Sequence, residues 1–435
     1  MIPLLITAAL TLTVCAMPAA AEETSSQIME EQSMENSSFS ASPIISRNVP
    51  AYSGSGRPNE ANDDVYYTSW RSEAPDYLAY DLSGVPEAQR GKVLAVWYNS
   101  SSYDQVGSYV SVTDEPTDYV LEINHAPGGS FPEDGWEIVE TVSDNTLSTR
   151  SHLLDLDGAN WIRMRITGSK GGILLNFDIH DASSGGRDSW IFFGDSITAG
   201  GMINMWGTSY ATFVHAIDPA YTPLQQNGGI GGITSKDGRE YIDKWLTATA
   251  AHYVSIAYGT NDSWGNQFSP ETYYENTKYM IDAVLNAGRV PVLPKIPHST
   301  NPDVGPYVTT HNAMIDRLYE EYGDRIVQGP DFEAYFKEHP EGLGDDGVHP
   351  NSDGYEEMRK LWAETMYEKV YTKGNAVRSG DVNGDGTVSA ADVIMLQKYL
   401  LNAGTLTVPE AAELYTDGVT DVFDLAMLKR RLLTQ

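Results

Sequence analysis

The sequence predicts a multidomain protein: an N-terminal β-sandwich of the jelly-roll type, a central three-layer α/β domain with a parallel sheet, and a small C-terminal α-helical module. With 435 residues, the chain is too long for a single hydrophobic core. Short alternating strand patterns fill residues 49–185, and strands alternate with amphipathic helices over residues 190–372. Residues 380–435 then carry an aspartate-rich loop pattern followed by a helix, and a second, weaker copy of both.

Composition limits the partners that this chain can bind. The formal net charge is −32, from 60 acidic and 28 basic residues. A field of this sign repels nucleic acid and anionic lipid, which excludes polyanion binding as the main function. After the N-terminal segment, no apolar stretch is long enough to cross a membrane. The charge fits a neutral substrate, a cation such as calcium as a ligand, or simply a role in solubility.

The N-terminus has the pattern of an export signal. Residues 1–21 are apolar and end in three alanines before two glutamates, which predicts a cleaved signal peptide and a secreted protein. The only cysteine, Cys15, lies inside this segment, so we expect no disulfide in the mature chain. Residues 22–48 are rich in Ser and Glu and are predicted to form a disordered leader.

Residues 49–185 read as short antiparallel strands separated by turns. The predicted strands cover residues 92–100, 108–114, 119–125, 136–142 and 160–168. The stretch from Trp136 to Gly168 resembles the galactose-binding-like sandwiches that serve as carbohydrate-binding modules and as accessory domains of esterases. Aromatic side chains in this region either stack on sugar rings or fill the sandwich core, and we favour the core for each. They are Trp70, Trp97, Tyr98, Tyr103 and Tyr109.

Residues 190–372 alternate between strand and helix, which favours a parallel sheet covered by helices on both faces. The predicted strands are 190–193, 253–258, 290–296 and 325–329. The predicted helices are 210–217, 270–288, 307–323 and 351–371. Polar side chains that act in catalysis should then lie at the carboxyl ends of the strands.

Three polar clusters and one glycine-rich loop stand at such positions. Gly194-Asp195-Ser196 ends the first strand, Gly259–Asp262 follows the second, and Asp346 precedes His349 by three residues just before the last helix. Residues 227–235 form the glycine-rich loop. Each cluster alone is explained by a turn or a helix cap. Their joint occurrence in this order is difficult to explain by turns alone.

Together these clusters resemble the SGNH (GDSL-type) hydrolase superfamily over residues 190–372. The resemblance implies that Ser196 is the nucleophile, that His349 is the general base and that Asp346 orients the imidazole. It also implies an oxyanion hole formed by the backbone N–H groups of Ser196 and Gly232 and the side-chain amide of Asn261, with no catalytic cofactor. Gly229 and Gly231 remain alternatives to Gly232. Asp195 is then a support for the loop and not the partner of the serine.

The first aspartate-rich loop has the spacing of a twelve-residue calcium loop, whose ligands are hard oxygen atoms. Its candidate ligands are Asp381, Asn383, Asp385, Thr387, Ser389 and Asp392. The second loop retains Asp417, Asp421 and Asp424, but Glu413 and Tyr415 occupy its first and third positions. We therefore expect one calcium site and a degenerate second site that binds weakly, with altered ligands, or not at all.

This repeat of loop and helix over residues 380–435 resembles the dockerins of cellulosomal enzymes. The resemblance implies structural Ca²⁺ and docking to a cohesin of a scaffoldin, outside the cell. Cohesin recognition would then involve the loop-end pairs Ala390-Ala391 and Val422-Phe423, which differ between the repeats. The alternative is an EF-hand-like calcium clip with only a structural role.

These expectations combine into one function and two alternatives. We expect a secreted cellulosomal serine esterase that removes acetyl groups from plant cell-wall polysaccharide, with xylan as the favoured substrate, through a Ser-His-Asp triad and an acyl-enzyme. The order of sandwich and hydrolase resembles acetyl esterases such as carbohydrate esterase family 2, although many of its members lack the orienting Asp. One alternative is a lipase or acyl hydrolase acting on non-carbohydrate esters. The other is a non-catalytic carbohydrate-binding component of the cellulosome.

Overall fold

A computed structural model describes residues 40–63, 65–99, 114–202, 208–372, 380–383, 388–412, 414 and 419–433. The predicted signal peptide and almost all of the predicted strand at 108–114 lie outside these residues. The chain separates into two compact units, with residues 40–372 in one and the described residues from 380 onward in the other. No helix in the described ranges is long and apolar enough to cross a membrane.

The prediction of a disordered leader is wrong over residues 40–48, which pack within the first unit. Ile44 pairs with His180, and the backbone N–H of Ile45 donates to the carbonyl of Ile179 at 2.8 Å. Ser42 and Ser46 are fully buried. The apolar residues of this segment extend a sheet edge, although the serines around them made the segment read as disordered.

The N-terminal part consists of two antiparallel sheets packed face to face. One has the strand order β1-β3-β8-β5-β6 and the other the order β2-β9-β4-β7. The strands are β1 Ala51–Ser53, β2 Trp70–Ser72, β3 Asp76–Asp81, β4 Lys92–Asn99, β5 Glu115–Asn124, β6 Glu137–Val142, β7 Thr149–Asp155, β8 Trp161–Lys170 and β9 Ile173–Asp181. The sequence patterns missed β1, β2, β3, β7 and β9, in part because several of these strands are short or buried on both faces and so lack clean alternation.

The space between the two sheets is filled by large apolar side chains. Trp70 and Trp97 contribute from the four-stranded sheet, and Leu78 and Ile162 from the five-stranded sheet. Trp70, Trp97 and Tyr98 are all buried, so the interpretation of these aromatics as packing residues is correct. Tyr103 and Tyr109 lie outside the described residues.

The central part contains a five-stranded parallel sheet with the order β11-β10-β12-β13-β14. Its strands are β10 Ser189–Gly194, β11 Leu224–Gly229, β12 Tyr253–Ala257, β13 Val290–Lys295 and β14 Val327–Asp331. The prediction of a glycine-rich loop over residues 227–235 is wrong in part, because Asn227–Gly229 belong to β11. The chain leaves β10 for β11 on one side and then returns to β12 on the other. Such a reversal opens a crevice at the carboxyl ends of β10 and β12.

Helices cover both faces of this sheet, as the alternating pattern predicts. They are α1 Ser196–Gly201, α2 Tyr210–Ile217, α3 Ser235–Leu246, α4 Thr260–Ser263, α5 Pro270–Asn286, α6 Gly305–Tyr322, α7 Phe332–Glu338 and α8 Ser352–Met366. Along β10, Ile191 and Phe193 point into one core, and Trp190 and Phe192 point into the other. The predicted last helix is α-helical only to Met366, and a π-helical turn continues to Tyr371.

The sandwich and the α/β part share a buried polar contact. Gln226 on β11 is fully buried, and its Oε1 accepts hydrogen bonds from Ser151 at 2.7 Å and from Thr249 at 2.6 Å. Leu147, from the sandwich, lies in the core of the α/β part. Because a buried amide is costly without partners, this contact fixes the two parts in one arrangement.

The C-terminal unit has a small core of its own. Among its described residues, two α-helices are present, α9 Ala390–Leu400 and α10 Val422–Leu433. They enclose a cluster of buried apolar side chains, namely Val382, Leu396, Ala411, Ala412 and Leu428. The two helices follow the two predicted loops.

Candidate active site

Three loops bring the predicted site residues to one edge of the parallel sheet. Ser196 is the first residue of α1, directly after β10, and Asn261 lies in α4, directly after β12. His349 lies in the loop that enters α8. Since parallel strands end at the same edge, residues distant in sequence meet here.

Ser196, His349 and Asp346 form a continuous line of hydrogen bonds. The Oγ of Ser196 lies 2.7 Å from Nε2 of His349, and Nδ1 of His349 lies 2.6 Å from Oδ2 of Asp346. With Asp346 ionised, Nδ1 carries the imidazole proton and donates a hydrogen bond to the carboxylate. Nε2 is then the acceptor for the serine hydroxyl. About 39% of the His349 side chain is exposed, so a substrate can reach it.

Asp346 is held as an ionised acceptor. Its Oδ1 accepts from the backbone N–H groups of Val348 at 2.9 Å and His349 at 3.0 Å. Partial desolvation acts to raise the pKa of Asp346, but the hydrogen bonds from the His349 side chain and these two N–H groups outweigh it and lower the pKa. The short Asp-x-x-His loop therefore supplies both the carboxylate and the backbone N–H groups that hold it in place.

The loop of His349 is fastened from outside by the segment that follows β13. Ser299 donates from Oγ to the carbonyl of Gly347 at 2.6 Å, and the backbone N–H of Thr300 donates to the same carbonyl at 2.9 Å. Asn301 donates from Nδ2 to the carbonyl of Asp346 at 3.0 Å. These three residues were not predicted from the sequence, because a polar loop after a strand has no periodic pattern that would indicate a role.

Asp195 supports the start of α1, as expected, and is not the partner of the serine. Its Oδ1 accepts from the N–H of Ile197 at 3.0 Å, which caps the helix. The side chain is almost fully buried, and desolvation raises its pKa to about 7. Asp346, which hydrogen bonds to His349, occupies the position next to the imidazole.

Two glycines allow α1 to approach the sheet closely. A Cβ atom at Gly194 would lie 2.0 Å from Oγ1 of Thr198, and one at Gly229 would lie 2.1 Å from the backbone N of Ala199. Both contacts are shorter than any side chain tolerates. The N–H of Gly229 also donates to Oδ1 of Asn227 at 2.9 Å, so this glycine is a poor candidate for the oxyanion hole.

Gly232 lies in the turn between β11 and α3 and has a φ of 78°, which favours glycine. The N–H of Ile230 donates to the carbonyl of Gly194 at 3.0 Å, which ties this turn to the end of β10. Asn261 donates from Nδ2 to the carbonyl of Ile233 at 2.8 Å. An amide nitrogen carries two hydrogens, so Asn261 retains a second donor.

Asp262 braces the same turn and was not assigned a role from the sequence. It is buried, and its carboxylate accepts from the backbone N–H of Ser235 at 2.9 Å and from the Ser235 hydroxyl. Gly259, with a φ of 131°, is the N-cap residue directly before α4, and a Cβ there would lie 2.3 Å from Ile296. The arrangement fixes Asn261 and the Gly232 turn relative to each other.

In the C-terminal unit, both predicted loops end in a fully buried aspartate. Asp392 accepts from the backbone N–H groups of Asn383 at 3.1 Å and Ser389 at 2.8 Å. Asp424 accepts in the same way from Leu414 and Asp421, both at 2.8 Å. The second loop therefore closes like the first. Asp381 is also buried, whereas Asp385, Thr387 and Asp417 lie outside the described residues, so both ligand sets stay predictions.

The four residues predicted to recognise a cohesin are exposed. Ala390 and Ala391 begin α9, and Val422 and Phe423 begin α10. The exposed fraction is 65% for Val422 and 58% for Phe423. The second pair presents more apolar surface than the first.

Family models match two segments of the chain. Residues 192–357 match the GDSL-like lipase/acylhydrolase family, and residues 379–433 match the dockerin type I domain. The chain carries an SGNH hydrolase domain and a type I dockerin. The first match spans the loops of Ser196, Asn261 and His349, and the second spans both aspartate-rich loops.

A curated relative and solved structures are also similar to this chain. The chain is 26% identical over 246 residues to a multidomain esterase of Ruminococcus flavefaciens. The match covers 49% of this chain and 31% of that protein. A lipase/acylhydrolase from Enterococcus faecalis matches 41% of this chain and 95% of its own, with 21% identity and a TM-score of 0.36. A family 3 carbohydrate esterase from Talaromyces cellulolyticus matches 41% and 96%, with 18% identity and a TM-score of 0.34.

Proposed function

We propose that this protein is a secreted serine esterase that removes acetyl groups from plant cell-wall polysaccharide, with xylan as the favoured substrate, while docked to a scaffoldin. The observation that carries the proposal is the hydrogen-bonded line from Ser196 through His349 to Asp346. A serine hydroxyl is a weak nucleophile until a positioned base accepts its proton. This geometry supplies both the base and the group that orients it.

In the acylation step, Oγ of Ser196 attacks the acetyl carbonyl carbon while its proton moves to Nε2 of His349. The carbonyl π electrons move to oxygen and form a tetrahedral oxyanion. Collapse of this intermediate breaks the bond to the sugar oxygen, which takes the proton from Nε2 and leaves as a hydroxyl. Asp346 stabilises the imidazolium while it carries the proton.

We assign the oxyanion hole to the backbone N–H groups of Ser196 and Gly232 and to Nδ2 of Asn261. As the first residue of α1, Ser196 has no acceptor for its N–H within the helix. Donors fixed before the reaction contribute about 3–4 kcal/mol each to barrier lowering. Asp262 and Gly259 support this assignment because they fix the turn of Gly232 and the start of α4, which carries Asn261.

Deacylation repeats the same proton transfers with water. His349 accepts a proton from a water molecule as the water oxygen attacks the acetyl carbon of acetyl-Ser196. Collapse then returns the proton to Oγ of Ser196 and releases acetic acid. Every step uses residues of this chain, and none requires a metal ion.

The dockerin supplies the context for the substrate. A dockerin implies a cohesin partner, an extracellular location and structural calcium, which we assign to the first aspartate-rich loop. The buried Asp381 and Asp392 fit such a site, because hard carboxylate oxygens suit Ca²⁺. The relative from Ruminococcus flavefaciens is a multidomain esterase, which agrees with ester hydrolysis.

We also infer that the N-terminal sheets form a jelly roll. From β2 to β9, the orders β2-β9-β4-β7 and β3-β8-β5-β6 are those of two interleaved Greek keys. The buried contact between Gln226 and Ser151 supports a role for this sandwich in bracing the hydrolase.

Acetate release from acetylated xylan, mannan and pectin tests the proposed substrate. Nitrophenyl esters of increasing chain length test the alternative, a lipase acting on non-carbohydrate esters. We expect release from at least one polysaccharide and falling rates beyond acetyl. Higher rates on long-chain esters together with no polysaccharide activity would favour the lipase.

A further inference from the structure

Trp264 is exposed in the turn that directly follows the helix of Asn261. It lies three residues after Asn261, and 42% of its surface is accessible. The other tryptophans in the described ranges are buried or half-buried, namely Trp70, Trp97, Trp136, Trp161, Trp190, Trp245 and Trp362. Burial of an indole ring contributes a large favourable free energy to folding, and an exposed tryptophan lacks most of it. Exposure of Trp264 is therefore more consistent with a binding role than with a packing role.

The backbone holds Trp264 in a defined turn. Gly265 and Asn266 both have left-handed conformations, with φ values of 59° and 53°. The N–H of Gly265 donates to the carbonyl of Asp303 at 2.7 Å. These constraints fix the direction of the chain at Trp264.

The same turn is connected to the loop of His349. The N–H of Asp303 donates to Oδ1 of Asn301 at 2.9 Å, and Asn301 in turn donates to the carbonyl of Asp346. Trp264 therefore belongs to a rim that runs from the proposed oxyanion donor Asn261 to the proposed base His349.

We propose that Trp264 is a specificity-determining residue that stacks on a pyranose ring of a neutral polysaccharide beside the acetylated sugar. This inference rests on the proposed function and names the part of the substrate that the rim contacts. One face of a pyranose presents C–H groups that pack against a flat aromatic ring. A neutral glycan also suits a chain with a net charge of −32. A long acyl chain would instead require an enclosed apolar groove.

Kinetics of Trp264→Ala and Trp264→Phe on two substrates test this inference. On acetylated xylan, we expect Trp264→Ala to lower kcat/KM about tenfold, mainly through KM, because stacking is lost. On nitrophenyl acetate, which has no sugar, we expect a change within about twofold. Trp264→Phe retains a ring and should recover most of the xylan activity. Tyr241→Ala, which removes an exposed aromatic ring from α3, should match wild type on both substrates.

Two results would overturn the inference. Equal losses on both substrates would show that Trp264 acts through Asn261, and wild-type activity of Trp264→Ala on xylan would show that it makes no sugar contact. Failure of the proposed function is distinguishable, since it would appear in the wild type as nitrophenyl acetate hydrolysis without acetate release from any polysaccharide, or as nitrophenyl acetate hydrolysis by Ser196→Ala. Neither measurement uses a Trp264 variant.

Discussion

Asn301 donates a hydrogen bond from Nδ2 to the backbone carbonyl of Asp346, with 3.0 Å between the two atoms. Asp346 is three residues before His349, so this bond ties the segment after β13 to the loop that aims the imidazole. Ser299 adds a second tie to the same loop at Gly347. The proposed base, His349, is thus positioned by a segment that has no part in the proposed proton transfer.

Substitution of Asn301 by Ala should loosen this loop. We expect kcat on nitrophenyl acetate to fall about tenfold, because a small displacement of a catalytic group is costly, while KM changes little. Thr300→Ala is the matched control, since Thr300 contributes its backbone N–H to Gly347 and retains it in the variant. Equal kcat values for Asn301→Ala and wild type would contradict the positioning role.

Asp346→Asn should remove the charge that stabilises the imidazolium and favour the wrong tautomer of His349. By analogy with other serine hydrolases, kcat should fall by roughly 10³–10⁴-fold. Because the pKa of Asp346 is lowered, the carboxylate is ionised at neutral pH, and its pairing with His349 is lost only as pH falls through that lowered value. A pH–rate profile from 4 to 9 should show no recovery of the variant, and near-wild-type kcat at neutral pH would refute the assignment.

Asp195→Asn should change how stability depends on pH. Burial raises the pKa of Asp195 to about 7, whereas an exposed aspartate titrates near 3.8. Between these values the folded state holds a proton that the unfolded state has lost, so this residue's contribution to stability falls as pH rises towards 7. Asn keeps an acceptor for Ile197 without a charge. The variant should therefore gain stability relative to wild type between pH 5 and pH 8.

Urea unfolding of residues 40–372 at several pH values measures this gain. Asp188→Asn should behave alike, because Asp188 is also buried and its pKa is also raised to about 7. A constant difference between Asp195→Asn and wild type across this range would show that Asp195 is ionised throughout.

Chelation of calcium should separate the two activities of the chain. Calcium ligands are predicted only in the C-terminal unit, and the proposed chemistry uses residues of the first unit alone. We therefore expect EDTA to abolish cohesin binding, measured by calorimetry, while nitrophenyl acetate turnover stays within about twofold. Loss of turnover on chelation would mean that calcium acts on the hydrolase as well.

Ser196 could be picked out as a candidate because the continuous apolar strand β10 ends just before it, and His349 because it follows Asp346 by three residues just before an amphipathic helix. Strand β11 was missed because Gln225, Gln226 and Asn227 are polar, and only the folded structure shows the partners that bury Gln226. Ser299 and Asn301 could not be found either, because their partners are backbone carbonyls about 45 residues away.

Acetate release from acetylated xylan by wild type and Ser196→Ala tests whether Ser196 is the nucleophile of a polysaccharide esterase. We predict that the variant, folded and still able to bind cohesin, loses activity by about 10⁴-fold or more, and that wild type alone yields an acetylated Ser196 on rapid quenching. Acetate release by Ser196→Ala at the wild-type rate would contradict this prediction.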